Sequence, residues 1–379
     1  MSVNVLILGG GLQALSTANS LRKGDFHVYC LAPATEEIRY SRFVKTFYPL
    51  EPSNTLQQLL SIIHKEQIAV VIPMSDKMAE LLAKHKTEIE QATGHPCQVP
   101  DYPDFERAAD KAKLMAFCEK HHFAHPRTRS ITKDTINKVA EYVGFPSLIK
   151  PNRSVGARGI TLVRSMEELQ SAYPAIQDQY GDSTLQEFVD SKGLPYYNVM
   201  LYRSEKGDIL GSAIIEILRY YPIEGGSSSL CRTIEEPKLL AECTHVLDKL
   251  NWIGMADFDV LVNKNGEYKI IEINPRVPAS LRAADIAGVN FPEIIVRDTL
   301  GLTSKKYSYQ TNRYLRYFGL DIMWFLKSPN RFTANPNWFT SIGRNTFFQD
   351  IYANDCSTWF SWLTAGIQRY FEKRKHMNH

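Results

Sequence analysis

No run of eighteen apolar residues occurs in this 379-residue chain, so no transmembrane helix is expected. The N-terminus, Met-Ser-Val-Asn-Val-Leu-Ile-Leu-Gly, has no basic n-region or cleavage site, which argues against a signal peptide. Cys30, Cys97, Cys118, Cys231, Cys243 and Cys356 contain no CxxC pair. That spacing argues against zinc ribbons and disulfide scaffolds and suits buried thiols in a reducing cytoplasm. Charge of one sign is also missing. The balance is 44 Lys and Arg against 41 Asp and Glu, a net +3, too small to make nucleic acid a main partner. There is no Walker A loop, no Ser-His-Asp or Cys-His arrangement, no internal repeat and no low-complexity tract.

What is present is ordinary globular material, 44% hydrophobic and 22% charged, enough for two or three packed units. Residues 1–105 alternate between patterns: strand Val3–Leu8, helix Leu12–Lys23, strand His27–Leu31, helix Leu56–Glu66, strand Ala69–Pro73 and helix Lys77–Ile89. This predicts a parallel, Rossmann-like sheet. One helix is expected over about 104–120, another over Thr132–Val143, a strand over Pro146–Lys150, and a third helix over 237–250. Gly9-Gly10-Gly11-Leu12-Gln13-Ala14 fits half of a dinucleotide fingerprint. The second strand ends Leu31-Ala-Pro, with no acid for a ribose until Glu36. Residues 311–379 differ, holding 16 aromatics and four of the five tryptophans, with 9 Lys and Arg against 4 acids. That composition suits an extension packed on the core, or a peripheral contact with a partner or membrane surface.

The most informative stretch is Asp259-Val-Leu-Val-Asn-Lys-Asn-Gly-Glu-Tyr-Lys-Ile-Ile-Glu272-Ile-Asn274-Pro-Arg276. Apolar runs flank an Asn-Gly turn, which reads as a β-hairpin. A register centred on Asn265-Gly266 sets Asp259 opposite Glu272, and Glu272, Asn274 and Arg276 share a face by alternation. Two carboxylates and an amide oxygen then converge. A cation between them relieves the repulsion, and hard oxygen ligands favour Mg²⁺ alongside substrate phosphates.

Further signals stand upstream. Asp110-Lys111 begins a helix. A strand ending at Lys150 enters a loop with Ser154, Gly156, Arg158 and Gly159, where a point charge and backbone N–H groups suit polyphosphate. Gln186, Glu187, Phe188 and Val189 form a short strand entering a loop, able to present main-chain groups to an adenine edge.

In this order the segments resemble the ATP-grasp superfamily, in the layout of its carboxylate–amine ligases, biotin carboxylase and the carbamoyl-phosphate synthetase large subunit. The resemblance covers about residues 1–305. It implies a Rossmann-like domain at 1–105, a small lobe with a glycine-rich lid at 106–190, a metal-bearing lobe at 191–305 and an extension at 306–379, with antiparallel sheets in both lobes. It further implies ATP and one or two Mg²⁺ as cofactors. Lys111, Lys150 and the 154–159 loop would meet phosphates, and residues 186–189 would line adenine. Asp259, Glu272 and Asn274 would hold the metal, and Arg276 the reacting phosphate. Arg219, Ser227, Ser228 and Ser229 are candidates to grip a carboxylate substrate. The implied reaction activates a small carboxylate as an acyl phosphate for attack by an amine. Carboxyphosphate formation and a non-catalytic ATP-binding regulator are the alternatives, and a homodimer through the first 100 residues is common in similar enzymes. Two positions depart from the pattern. Pro195-Tyr196-Tyr197-Asn198 stands where an acid often holds the ribose, and Asp259 stands where glutamate is usual.

Overall fold

A computed structural model of the chain describes residues 2–152, 159–223, 226–303, 305–343, 345–355 and 357. Its first unit runs β1 (Val3–Leu8), α1 (Leu12–Leu21), β2 (Phe26–Ala32), β3 (Thr46–Pro49), α2 (Thr55–Glu66), β4 (Val70–Pro73), α3 (Asp76–Lys84) and α4 (Lys86–Thr93). The strands form an all-parallel sheet in the order β3-β2-β1-β4, as the alternating pattern predicts. Both faces are covered, so β1 is apolar at five of its six positions rather than alternating.

Two long helices expected from periodicity are each broken. The 77–89 segment divides into α3 and α4 at His85. The 104–120 segment divides into α5 (Tyr102–Ala109) and α6 (Lys111–Lys120). Asp110 between them is extended (φ −89°, ψ 117°), and its carboxylate accepts from the Lys113 amide at 3.0 Å. An N-cap there satisfies an orphan donor and turns Lys111 into the first residue of a new helix.

The second sheet collects β5 (Thr128–Ile131), β6 (Ser147–Pro151), β7 (Thr161–Val163) and β8 (Ser183–Glu187), all antiparallel in the order β5-β8-β6-β7. Helices α7 (Ile136–Val143) and α8 (Met166–Tyr180) pack on it around Ile149, Leu169 and Leu185.

The largest sheet has seven strands: β9 (Tyr196–Arg203), β10 (Ile209–Tyr221), β11 (Ser227–Ile234), β12 (Gly254–Val262), β13 (Tyr268–Asn274), β14 (Tyr314–Arg316) and β15 (Thr346–Phe348). Their order is β13-β12-β9-β10-β11-β14-β15, antiparallel except for the last pair. One face packs on α6 and α9 (Pro237–Lys249) through Val199, Leu201, Ala256 and Phe258. The other packs on the first unit and on α10 (Leu281–Ile286) and α11 (Phe291–Thr299) through Met200, Tyr202, Ala213 and Met255. The aromatic-rich segment is joined to this sheet. β14 and β15 extend it beyond β11, and α12 (Phe318–Lys327) packs against β10 and β11. The sequence also offers a helix over 357–372, with Trp359, Phe360, Trp362, Leu363, Ile367, Tyr370 and Phe371, and it lies outside the described residues apart from Ser357. Among the described residues no helix is long and apolar enough to cross a membrane.

Candidate active site

The face of the large sheet carrying Met200 and Met255 turns polar at one end. Period-two alternation puts Tyr196 and Asn198 of β9 and Asp257 and Asp259 of β12 on that face. β12 lies between β9 and β13, so Asp259 stands opposite Asn198 on one side and Glu272 on the other. The Asp259–Glu272 pairing is the one the sequence predicts, although two irregularities produce it. The loop is one residue longer than a two-residue turn, with Gly266 in the left-handed region (φ 78°) and the Asn263 side chain accepting from the amides of Asn265 and Glu267. A bulge then inserts Ile271 between the Val260–Ile270 and Asp259–Glu272 pairs and restores the register.

Cations face this group. Lys111 Nζ lies 3.0 Å from Glu272 Oε1 and is buried. Lys150 is buried at the end of β6, where its Nζ donates to Gln186 Oε1 at 2.5 Å; Gln186 Nε2 in turn donates to Thr128 Oγ1 at 3.0 Å. Burial pushes the Lys150 ammonium down to about 8, with Lys111 adding to the effect and Glu272 and Asp259 opposing it. Arg276 donates to Asp76 Oδ1 through Nε at 3.1 Å and to Asn274 Oδ1 through Nη2 at 3.3 Å. Asp76 opens α3 at the carboxyl end of β4, so the first unit anchors this arginine.

Asp259 Oδ1 accepts from Tyr196 Oη at 3.0 Å and from Asn198 Nδ2. Burial, then the nearby Glu272 carboxylate, pushes Asp259 up to about 6. Asp257 was not singled out in the sequence, although it lies two residues before Asp259 and hence on the same face. Its Oδ2 accepts from Asn274 Nδ2 at 3.3 Å, while its Oδ1 is buried without a hydrogen-bond partner. Burial and Asp259 push its carboxyl well above the usual range. An orphaned buried oxygen beside a second acid fits a divalent cation, which would favour both ionised forms. Among the described residues no cage of three or more His, Cys, Asp or Glu side chains is already drawn together.

The remaining predicted residues divide. The Glu187 side chain is held by the amide and Nε of Arg127, each at 3.1 Å. The amides of Glu187 and Phe188 donate to Arg127 O and Pro146 O. Glu187 therefore turns its carboxylate to Arg127, with Val189 two residues beyond it in the loop. Gly159 lies at φ 74°, and a Cβ there would meet Pro151 at 2.8 Å and the Tyr180 ring at 2.9 Å. Only glycine returns the loop to β7 without strain. Ser154, Gly156 and Arg158 lie outside the described residues.

Arg219 and Ser229 are paired within the protein. Arg219 is buried against α12, with Nε 2.9 Å from Asp321 Oδ1 and its guanidinium over the Trp324 ring at 4.8 Å. Ser229 Oγ donates to the same carboxylate at 3.3 Å. Neither is open to a substrate. Ser227 is exposed and Ser228 half-buried at the start of β11. The glycine fingerprint is likewise filled from within, because Glu36 Oε2 accepts from the Gly11 amide at 2.7 Å. A Cβ on Gly10 would fall 2.2 Å from that carboxylate, so the chain supplies its own anion at the start of α1.

Residues 108–280 match the ATP-grasp domain family. That segment therefore reads as an ATP-grasp domain. The D-aspartate ligase of Enterococcus faecium (strain Aus0004) is 22% identical over 323 residues, spanning 77% of this chain and 76% of that protein. The biotin carboxylase domain dimer of the Hydrogenobacter thermophilus 2-oxoglutarate carboxylase, in complex with MgADP, ADP and bicarbonate, superposes with a TM-score of 0.67 at 16% identity, covering 83% of this chain and 73% of that one. An L-amino acid ligase from Bacillus licheniformis superposes at 0.61 with 15% identity, covering 79% and 74%. The ATP-grasp fold of this chain therefore arranges its polar residues at the end of the seven-stranded sheet.

Proposed function

We propose that this enzyme of the ATP-grasp carboxylate–amine ligase family uses ATP and Mg²⁺ to convert a small-molecule carboxylate into an acyl phosphate, which an amine then attacks with release of phosphate. One observation carries the reading. Cations and acids are gathered at one spot yet incompletely paired, with Lys150 bonded to an amide and Asp257 bearing an unsatisfied oxygen. A magnesium triphosphate brings the missing charges of both signs.

In this reading Lys111 and Lys150 hold phosphate oxygens, and Gln186 orients the Lys150 ammonium. Asp257, Asp259, Glu272 and Asn274 would hold the metal, which when bound would offset phosphate charge. Arg276, fixed by Asp76 and Asn274, meets the transferring phosphoryl group. Val189 offers its main chain to the adenine edge. Phosphoryl transfer asks chiefly for positioning and charge, and this side-chain set supplies both.

ADP release with ATP, Mg²⁺ and pools of D- and L-amino acids tests the reading. Turnover that needs both a carboxylate and an amine supports it. A requirement for bicarbonate alone favours carboxyphosphate formation, and ATP binding with no turnover under any pool favours a regulator.

A further inference from the structure

Apart from Gly319, Asp321 and Lys327, every position of α12 is apolar, yet only Asp321 and Trp324 are buried. Leu326 is 59% exposed, and the following loop adds Phe332 at 62%, Phe339 at 56% and Ile342 at 63%. Phe332 and Phe339 belong to one aromatic group with Phe325 and Trp338. The Phe325 ring centroid lies 5.6 Å from Phe332, 5.4 Å from Phe339 and 4.7 Å from Trp338. Single exposed apolar side chains are commonplace, whereas a joined aromatic group marks a contact surface.

The exposed charge along this segment of sequence is of one sign. Between Ile322 and Gln349 the sequence has no Asp or Glu, while Lys327, Arg331 and Arg344 are present. The bracketing acids are both buried: Asp321 lies between Arg219 and Arg316, and Asp350 accepts from the amides of Phe318 and Gly319. A two-fold contact with a second copy would set Lys327 and Arg331 against the same cations without local acids to meet them. Exposed aromatic and aliphatic side chains beside uncancelled cations match the interface of an anionic membrane.

We propose that α12 and the 328–343 loop form a docking surface for an anionic lipid bilayer. Leu326, Phe332, Phe339 and Ile342 enter the headgroup layer while Lys327 and Arg331 meet lipid phosphates. Durable peripheral attachment takes two signals. The sequence beyond Ser357 offers a second of the same composition, with Trp359, Trp362 and Phe371 beside Arg369 and Lys373-Arg-Lys against Glu372 alone.

The test is co-sedimentation of the full chain with phosphatidylcholine vesicles prepared with and without phosphatidylglycerol. Binding is expected to need the anionic lipid and to weaken with added salt. The triple variant Phe332→Ser, Phe339→Ser, Ile342→Ser and the double variant Lys327→Glu, Arg331→Glu should each reduce partitioning about tenfold or more. ATP turnover should stay unchanged, because no altered residue belongs to the nucleotide or metal groups. If the triple variant does not fold, the charge reversal carries the test alone. Failure to bind anionic vesicles overturns the proposal, as does full binding by the variants. Light scattering that shows a dimer dissolved by the triple variant assigns the face to a second copy and overturns it as well. Vesicle binding gained only on truncation after Ser357 shows that the tail covers the face, with the same consequence.

Discussion

Two buried charge clusters share the seven-stranded sheet, and they are built on opposite rules. Around Asp321 two guanidiniums close on one carboxylate, with Arg316 Nε 2.5 Å from Oδ2 and Arg219 Nε 2.9 Å from Oδ1. Burial raises the Asp321 carboxyl, and both arginines oppose that rise. Around Asp259 the nearest donors are a phenol and two amides, and Asp257 keeps an oxygen without a partner. The first cluster holds its one carboxylate between two arginines, and it fastens α12 to β10 and β11. In the second, Lys111 pairs with Glu272 and Arg276 with Asn274, while Asp257 and Asp259 have no cation of their own among their hydrogen-bond partners. Buried charge alone therefore does not mark a site; acids gathered together with too few donors do.

The comparison can be broken from either side. Glu272→Gln should lower Mg-ATP turnover by about 10³-fold while leaving the melting midpoint nearly unchanged, read as ADP release beside thermal unfolding. A loss of fold with it would place Glu272 among the structural charges. Asp321→Ala should do the reverse, costing about 3–5 kcal/mol of stability by stranding two buried guanidiniums, read by denaturant unfolding. A stable Asp321→Ala protein would remove the distinction.

Lys150→Ala should raise the ATP dissociation constant roughly 10–100-fold, the loss of a buried charge-assisted contact. The same residue gives a pH signature. Its folded value of about 8 lies below the ordinary 10.5, so the charged form is lost as pH rises through about 8. ATP binding should weaken above that point, by at most about tenfold per pH unit. Lys150→Arg stays charged and should show no such step; a wild-type profile that is flat between about pH 7 and about pH 9 contradicts the role.

The smallest effect is expected from Asp259. Its folded value of about 6 exceeds the ordinary 3.8, so its stabilising contribution is complete below 3.8 and is lost as pH rises through about 6. Asp259→Asn should flatten that part of the stability profile of the nucleotide-free protein, followed by thermal unfolding across the range.

Much of this arrangement is written locally in the chain. Alternation and an Asn-Gly turn are enough to oppose Asp259 and Glu272, and strand–helix alternation is enough for the parallel sheet. What escapes sequence reasoning depends on distance or on a single residue. Asp321 lies 102 residues from Arg219, and no local pattern joins them, so Arg219 reads as free to bind substrate. Asp110 and His85 break helices whose periodicity runs on through them. The hairpin register survives because the longer loop and the Ile271 bulge cancel, which no turn rule anticipates. Asp257 was legible, since it precedes Asp259 by two on the same strand.

The most direct measurement is the ATP dissociation constant with and without Mg²⁺ in the wild type and in Glu272→Gln. The account predicts that Mg²⁺ tightens binding about tenfold or more in the wild type and has little effect in the variant. An equal response to Mg²⁺ in both proteins would contradict it.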